Sequence, residues 1–246
     1  MLGVEHRETL TCVHNLAGSL SGQGKFAEAE ELEREVLAVR RRVLGVEHPA
    51  TLITTSNLAG SLSGQGKYAE AEEMQREVLA VRRRVLGKEH PATLTTASNL
   101  ASILYHQEKS AEAEEIQRES LSVQNRVLGT EHPSALIAAN NMATLLLQKG
   151  KYAEAKEMLR EVLAVQMRVV GAVHPSTLNS ENNLVTCICE QGKHGEAEEM
   201  LREVLAVRKR VLGVEHPATL FAARTLNIIL FRKTTKAKRR RSDVEC

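Results

Sequence analysis

The sequence predicts an all-α fold, a solenoid of paired helices that repeats along one direction. Three observations lead there. The segment Leu44-Gly45-Val46-Glu47-His48 returns at Leu86 to His90, Leu128 to His132, Val170 to His174 and Leu212 to His216, and it opens the chain as Leu2 to His6. The step is always forty-two residues, and a fixed period of this length marks a repeat array. Within each period, two stretches with helical spacing of apolar residues flank a glycine-bearing break. The composition agrees: among 246 residues Trp is absent and Phe and Tyr number three each. Ala, Leu, Val, Glu and Arg dominate, which suits helices packed through small and aliphatic side chains.

Residues 46–87 serve as the specimen repeat. Pro49 follows His48 and opens the first helix, because a proline at the first helical position has no N–H to leave unpaired and a preset φ. Leu52, Thr55, Leu58, Ala59 and Leu62 share one arc, the core stripe. Gly64-Gln65-Gly66-Lys67 then breaks the helix. The second helix runs from about Tyr68 to Leu86, with Tyr68, Ala71, Met74, Val78, Val81 and Val85 on a wider apolar arc. That width fits a helix clamped between its own partner and the next repeat. Glu70, Glu72, Glu73 and Glu77 fill its N-terminal half and Arg82, Arg83 and Arg84 its C-terminal end, which complements the helix dipole; Glu72 and Arg76 add an i,i+4 pair. Gly87 stops it. The same elements follow at each forty-two-residue step, and the last, Phe221 to Phe231, is a first helix without its second.

The arrangement Asn-Leu-Ala, Gln-Gly-Lys-Tyr-x-Glu-Ala-Glu, Val-Leu-Ala-Val-Arg and Leu-Gly-x-Glu-His-Pro resembles tetratricopeptide repeats. The forty-two-residue spacing and the Leu-Gly-x-Glu-His-Pro link resemble the kinesin light chain subclass, whose second helix is longer than in the common 34-residue unit. The resemblance covers residues 2–231 and implies a right-handed superhelix, with first helices lining a concave groove. It implies a non-catalytic interaction scaffold or adaptor that holds extended peptides or partner helices there. The heptad coiled coil by which such light chains attach to a motor is not in this chain.

In the specimen repeat Asn57 falls opposite the core stripe, flanked by Ile53, Thr54, Gly60 and Ser61. Its equivalents are Asn15, Asn99, Asn141 and Asn183; Thr225 breaks the series. By the resemblance these residues, with Thr54 and Ser61, form a ladder along a peptide-binding groove. An amide carries donors and acceptors and can hold a peptide backbone of any sequence. The competing reading is that the asparagines belong to the repeat consensus and fit neighbouring first helices together. The groove chemistry is narrowed by charge: 49–63, 91–105 and 133–147 hold no Lys or Arg. The lysine clamp of chaperone-tail repeats has Thr11, Ile53, Thr95, Ile137 and Asn179 in its place. Positive charge near the groove can come only from second helices, where Arg40, Arg82 and Arg208 sit on the apolar arc with Gln124 and Gln166 at the equivalent places. These arginines are expected to snorkel at helix interfaces.

Other motifs are set aside. Ser-Gly-Gln-Gly-Lys at 21–25 and 63–67 lacks the spacing of a phosphate loop and is flanked by helices, not by a strand. The periodic histidines lie a full repeat apart and each precedes a helix start, which predicts capping or packing, not a metal site. Cys12, Cys187, Cys189 and Cys246 fall at unrelated phases and are expected as reduced thiols. No triad, cofactor motif or membrane-length apolar run is found, so the expectation is a non-enzymatic protein without cofactor or metal.

The ends differ from the body. The array opens on Leu2-Gly3, the close of a second helix that does not precede it. The expectation is a piece of a longer chain, such as a sensor ATPase, or association through an uncapped end, or partial capping by Arg7, Glu8 and His14. Residues 1–231 are thus expected as five helix pairs plus a terminal helix, and 232–246 as a basic, disordered tail. From Arg232 onward there are seven basic and two acidic residues; removing them from the chain's 33 and 31 leaves 26 against 29. Lys236, Lys238, Arg239, Arg240 and Arg241 read as a nuclear-import or polyanion-binding cluster, with Ser242 a candidate phosphosite. The alternative function is therefore a nuclear or nucleic-acid-associated protein acting through its tail, with salt-sensitive and sequence-indifferent attraction. The partners expected are proteins or peptides. The expected localisation is cytoplasmic, or nuclear through that cluster.

Overall fold

The computed structural model describes residues 6–242, with side-chain surroundings to Phe231. Eleven helices alternate in two classes among the described residues: α1 (Arg7–Gly22), α2 (Phe26–Leu44), α3 (Pro49–Gly64), α4 (Tyr68–Val85), α5 (Pro91–His106), α6 (Ser110–Leu128), α7 (Pro133–Gln148), α8 (Tyr152–Val169), α9 (Pro175–Glu190), α10 (His194–Leu212) and α11 (Pro217–Ser242). The all-α architecture of stacked tetratricopeptide-like helix pairs follows.

Each first helix starts on the same device. Nδ1 of His6, His48, His90, His132, His174 and His216 accepts the backbone N–H two residues on, at 3.1–3.2 Å. Proline at the first helical position pushes the preceding histidine into extended backbone (His48 φ −64°, ψ 137°), which is the conformation an N-cap needs. Second helices end on glycine: Gly45 takes φ 88° and ψ 165°, a region closed to a residue with a Cβ.

The chain divides into two compact units, Met1–Gly129 and Thr130–Cys246. In the first, each helix packs on the next from α1 to α6, and first helices also touch one another (α1 with α3, α3 with α5). Thus α2 and α4 are each clamped between two first helices, as their wide apolar arcs predict. Leu37, Leu58, Ala59, Leu62, Ala71 and Ile103 form a core cluster, with Tyr68 and Met74 against it. The close approach depends on alanine: Ala29, Ala71 and Ala113 have no exposed surface. In the second unit α8 lies between α7 and α9, α10 between α9 and α11, and α7 touches α9. Ala155 and Ala197 repeat the buried alanine.

α11 departs from the pattern. Every earlier first helix ends before a turn, whereas α11 runs 26 residues, about 39 Å, through Ser242. Thr234 stands where the earlier turns have Gly24, Gly66, Gly150 and Gly192, and no Gly or Pro follows it, so the backbone stays helical. The basic segment 232–242, which the sequence reading places in a disordered tail, is therefore helical in backbone; Asp243 to Cys246 lie outside the described residues. Asn227 occupies the position held by Ala59 and its buried equivalents, and it is exposed.

Candidate peptide-binding face

Most arginines of the second helices are paired with carboxylates of other second helices or of the turns that precede first helices. Arg34 Nη2 donates to Glu70 at 2.7 Å and Arg76 Nη2 to Glu112 at 2.6 Å, linking successive second helices. Arg41–Glu77 and Arg83–Glu119 repeat the link two turns further on. Arg84 pairs with Glu47, and Arg126 with Glu89. In the second unit Arg160–Glu196 (2.8 Å) and Arg168–Glu131 (2.5 Å) do the same. Deeper in, Glu72 accepts from Lys109 Nζ (2.6 Å), Gln107 Nε2 (2.7 Å) and Arg76 Nε (2.9 Å). Burial works to raise the Glu72 carboxyl, but the hydrogen bonds from Lys109, Arg76 and Gln107 outweigh it and hold the group at about 2.

What this leaves open is the free face of the first helices. In the first unit Thr11, Asn15, Ile53, Thr95, Asn99 and Ser102 are exposed, and Asn57 is half-buried. In the second unit Ile137, Asn179 and Thr186 are exposed, and Asn141 and Asn183 half-buried. No lysine or arginine interrupts these surfaces on α1, α3 and α5 beyond Arg7 at the start of α1. The face is amphipathic and uncharged, suited to an extended backbone with small or apolar side chains.

The asparagines divide between the two readings. Asn15 and Asn99 stand exposed on their helices. Asn57 Nδ2 lies 3.5 Å from His14 Nε2 on α1. Asn183 Nδ2 donates to Asn140 Oδ1 (3.3 Å) and Thr144 Oγ1 (3.2 Å) on α7. The half-buried members thus tie one first helix to the preceding one. Thr54 and Ser61 correct the expectation for the groove, since both are fully buried. Thr54 Oγ1 accepts from Arg40 at 2.6 Å and donates to Ala50 O at 3.0 Å. A wheel drawn for an isolated helix misplaces them because α3 is covered by α2, α4 and its first-helix neighbours together.

Arg40, Arg82 and Arg208 also differ from expectation. They are almost wholly buried, with exposures of 7%, 8% and 2%. Each Nη1 donates at 3.1 Å to a carbonyl in the first turn of the next helix, Ala50, Ala92 or Ala218. Two partners escaped the sequence reading. Arg208 Nη2 holds both oxygens of Glu181 at 2.9 Å in a buried pair, and Ser180 Oγ donates to buried Asn140. Burial pushes the Glu181 carboxyl up to about 7 against the pull of Arg208. The available signal was the one glutamate at a register otherwise held by Val13, Thr55, Ala97, Ala139 and Ala223.

Tetratricopeptide repeat models match residues 8–84, 51–123 and 93–168, and a second such model matches 177–218. The chain belongs to the tetratricopeptide repeat family. Its repeats are of the kinesin light chain-like kind. A crystal structure of nearly identical kinesin light chain-type repeats from Podosopora anserina is 31% identical, covers 83% of this chain and 97% of its own, and superposes with a TM-score of 0.69. BtubC (BKLC) from P. vanneervenii is 24% identical over 85% of this chain and 83% of its own, with a TM-score of 0.70. A Rap protein complexed with Competence and Sporulation Factor shares the fold at 13% identity, covering 92% and 64%, with a TM-score of 0.61. No curated protein matches the chain. Family and fold mark a protein-interaction scaffold of a type that is ordinarily non-enzymatic. Among the described residues no helix is long and apolar enough to cross a membrane.

Proposed function

We propose that the array holds an extended peptide or a partner helix against the free faces of its first helices, through asparagine amides and small or aliphatic neighbours. The observation that supports this most is the contrast in charge. Most second-helix arginines are spent on intramolecular pairs, while the first helices α3, α5 and α7 carry no acidic residue, lysine or arginine and present a hydrogen-bonding face. The exposed Asn15 and Asn99 are the groups with amides free for a ligand backbone. The test is a peptide array probed with the protein and with the triple variant Asn15→Ala, Asn57→Ala and Asn99→Ala. Loss of most captured peptides, with the helical circular dichroism kept, is the expected result. Equal capture by the variant excludes the ladder as the binding element.

A second mode rests on the helical continuation of α11 through the segment that carries Lys236, Lys238 and Arg239–Arg241. A continuous basic helix is a salt-sensitive polyanion contact and a nuclear-import element in this reading, with Ser242 at its end as a charge-changing phosphosite. Removing residues 232–246 should release the protein from polyanion resin and from the nucleus without changing peptide capture.

A further inference from the structure

The helix α6 keeps the frame of α4 but not the side chains that hold α4 in place. Ser110, Ser120 and Ser122 stand where α4 has Tyr68, Val78 and Ala80, and Gln124 where it has Arg82. Tyr68 lies against the core cluster with Leu58 and Leu62; a serine is too short and too polar for that role. The buried apolar residues of α6 are Ala113 and Leu121. In the same unit α2 buries Ala29, Val36 and Leu37, and α4 buries Ala71, Val78 and Leu79. Arg40 and Arg82 reach carbonyls of another helix, whereas Gln124 donates to Ser120 of its own helix at 3.0 Å.

The junction of α6 with α5 shows the consequence. A cavity of about 10 Å³ lies between Leu94 and Ala97 of α5 and Ile116, Ser120 and Val123 of α6. The turn into α6 is strained as well: Glu108 takes φ 63°, where the turns into α2, α4, α8 and α10 use glycine. Charge works the other way. Arg76 of α4 holds Glu112 at 2.6 Å, Arg83 holds Glu119 at 3.2 Å, and Lys109 reaches Glu72 at 2.6 Å. The two arginine pairs are partly exposed on both sides, so each is weak and screened by salt. α6 is also the last helix of its compact unit, where it packs on α5, while α2 and α4 are each clamped between two first helices.

We infer that α6 is a releasable strap: it opens from α5 while α1 to α5 stay folded, and the ion pairs to α4 are the clips that keep it closed. Stacked repeats touch only their neighbours, so the release of one helix leaves the rest of the unit intact. Opening bares Leu94 and Ala97, which are buried in the closed form. On α11, which no second helix follows among the described residues, Leu220 at the register of Leu94 is 40% exposed. The third repeat thus carries an apolar face that is present only when α6 is released. The inference goes beyond the peptide-binding reading and does not rest on it.

The test is amide hydrogen exchange of the full chain, resolved to residues 116–121 of α6 and 74–79 of α4, in urea below the unfolding transition. The two segments differ only by Ile116 for Met74 and Ser120 for Val78, so their intrinsic rates are nearly equal. The α6 segment should exchange about tenfold faster or more. Its rate should also climb less steeply with urea, because a partial opening exposes less surface than global unfolding. Raising NaCl from about 0.05 to about 1 M should speed it by about threefold or more as the clips are screened. Glu108→Gly should slow it by about fivefold. Equal rates or equal urea slopes in the two segments mean that they open together, and overturn the inference. Salt-indifferent exchange in α6 overturns the role of the ion pairs, and an unchanged rate in Glu108→Gly overturns that of the turn.

Discussion

At the scale of single residues, position 108 shows how strictly the repeat is punctuated. The turn between first and second helices is made by Gly24, Gly66, Gly150 and Gly192 at φ of 73–80°, but in the third repeat Glu108 takes φ 63°. An L-residue in this region costs about 1–2 kcal/mol that glycine does not. Glu108→Gly should therefore stabilise the chain by about 1 kcal/mol, read as a higher midpoint in thermal or urea unfolding. An unchanged or lower midpoint would show that the glutamate side chain repays its strain elsewhere. Aromatic packing at the same junction varies as a pair. Phe26 lies against Gly64, where an added Cβ would fall 2.6 Å from the ring, whereas Tyr68 stacks on His106 at 5.1 Å.

Elements are held together by smallness at one point and charge at another. α2, α4, α8 and α10 each insert an alanine with no exposed surface between two first helices, and Ala71 belongs to the central cluster of the first unit. A larger side chain there must push apart two packed helices at once. Ala71→Leu is expected to destabilise by about 1–3 kcal/mol, measured by chemical denaturation; a loss under a few tenths would mean the junction is looser than its burial indicates. The ion pairs between successive second helices each add little, because exposed pairs are worth about 0–1 kcal/mol. Their larger consequence is that most arginines of those helices are already engaged by carboxylates of the same molecule.

For the whole molecule, stability should depend on pH in two opposite windows. Glu72, held at about 2, is ionised and bonded in the folded chain and titrates near 4.5 when unfolded. Its contribution is complete above about 4.5 and is lost as pH falls toward 2. Glu181 is raised to about 7, so the folded chain binds its proton more tightly than the unfolded one, and stability falls as pH rises from about 4.5 through 7. The charged group paired with Glu181 is Arg208. Thermal midpoints taken from pH 2 to 8 should rise and then decline, and Glu181→Gln should make the upper limb shallower while leaving the acid limb in place. A native upper limb as flat as the variant's would mean that Arg208 holds Glu181 ionised throughout.

The period, the helix pairs, their start and stop signals and the family resemblance were legible in the sequence by itself. They are written in local chemistry: proline after histidine, glycine where φ is positive, alanine and leucine at helical spacing. The histidine cap was legible too, since a ring nitrogen before a helix start has backbone N–H groups within reach. Tertiary structure alone decided what lies on which surface. Thr54 and Ser61 look available on one helix and vanish once three neighbours cover it. Arg40 and Arg82 look like snorkelling side chains until the following helix closes over their heads. The Glu181–Arg208 pair joins residues 27 apart on different helices. A repeated sequence specifies its own packing over and over, because each copy meets the same neighbours. The functional face depends on which side chains those neighbours bury, and that is set by contacts no single repeat contains.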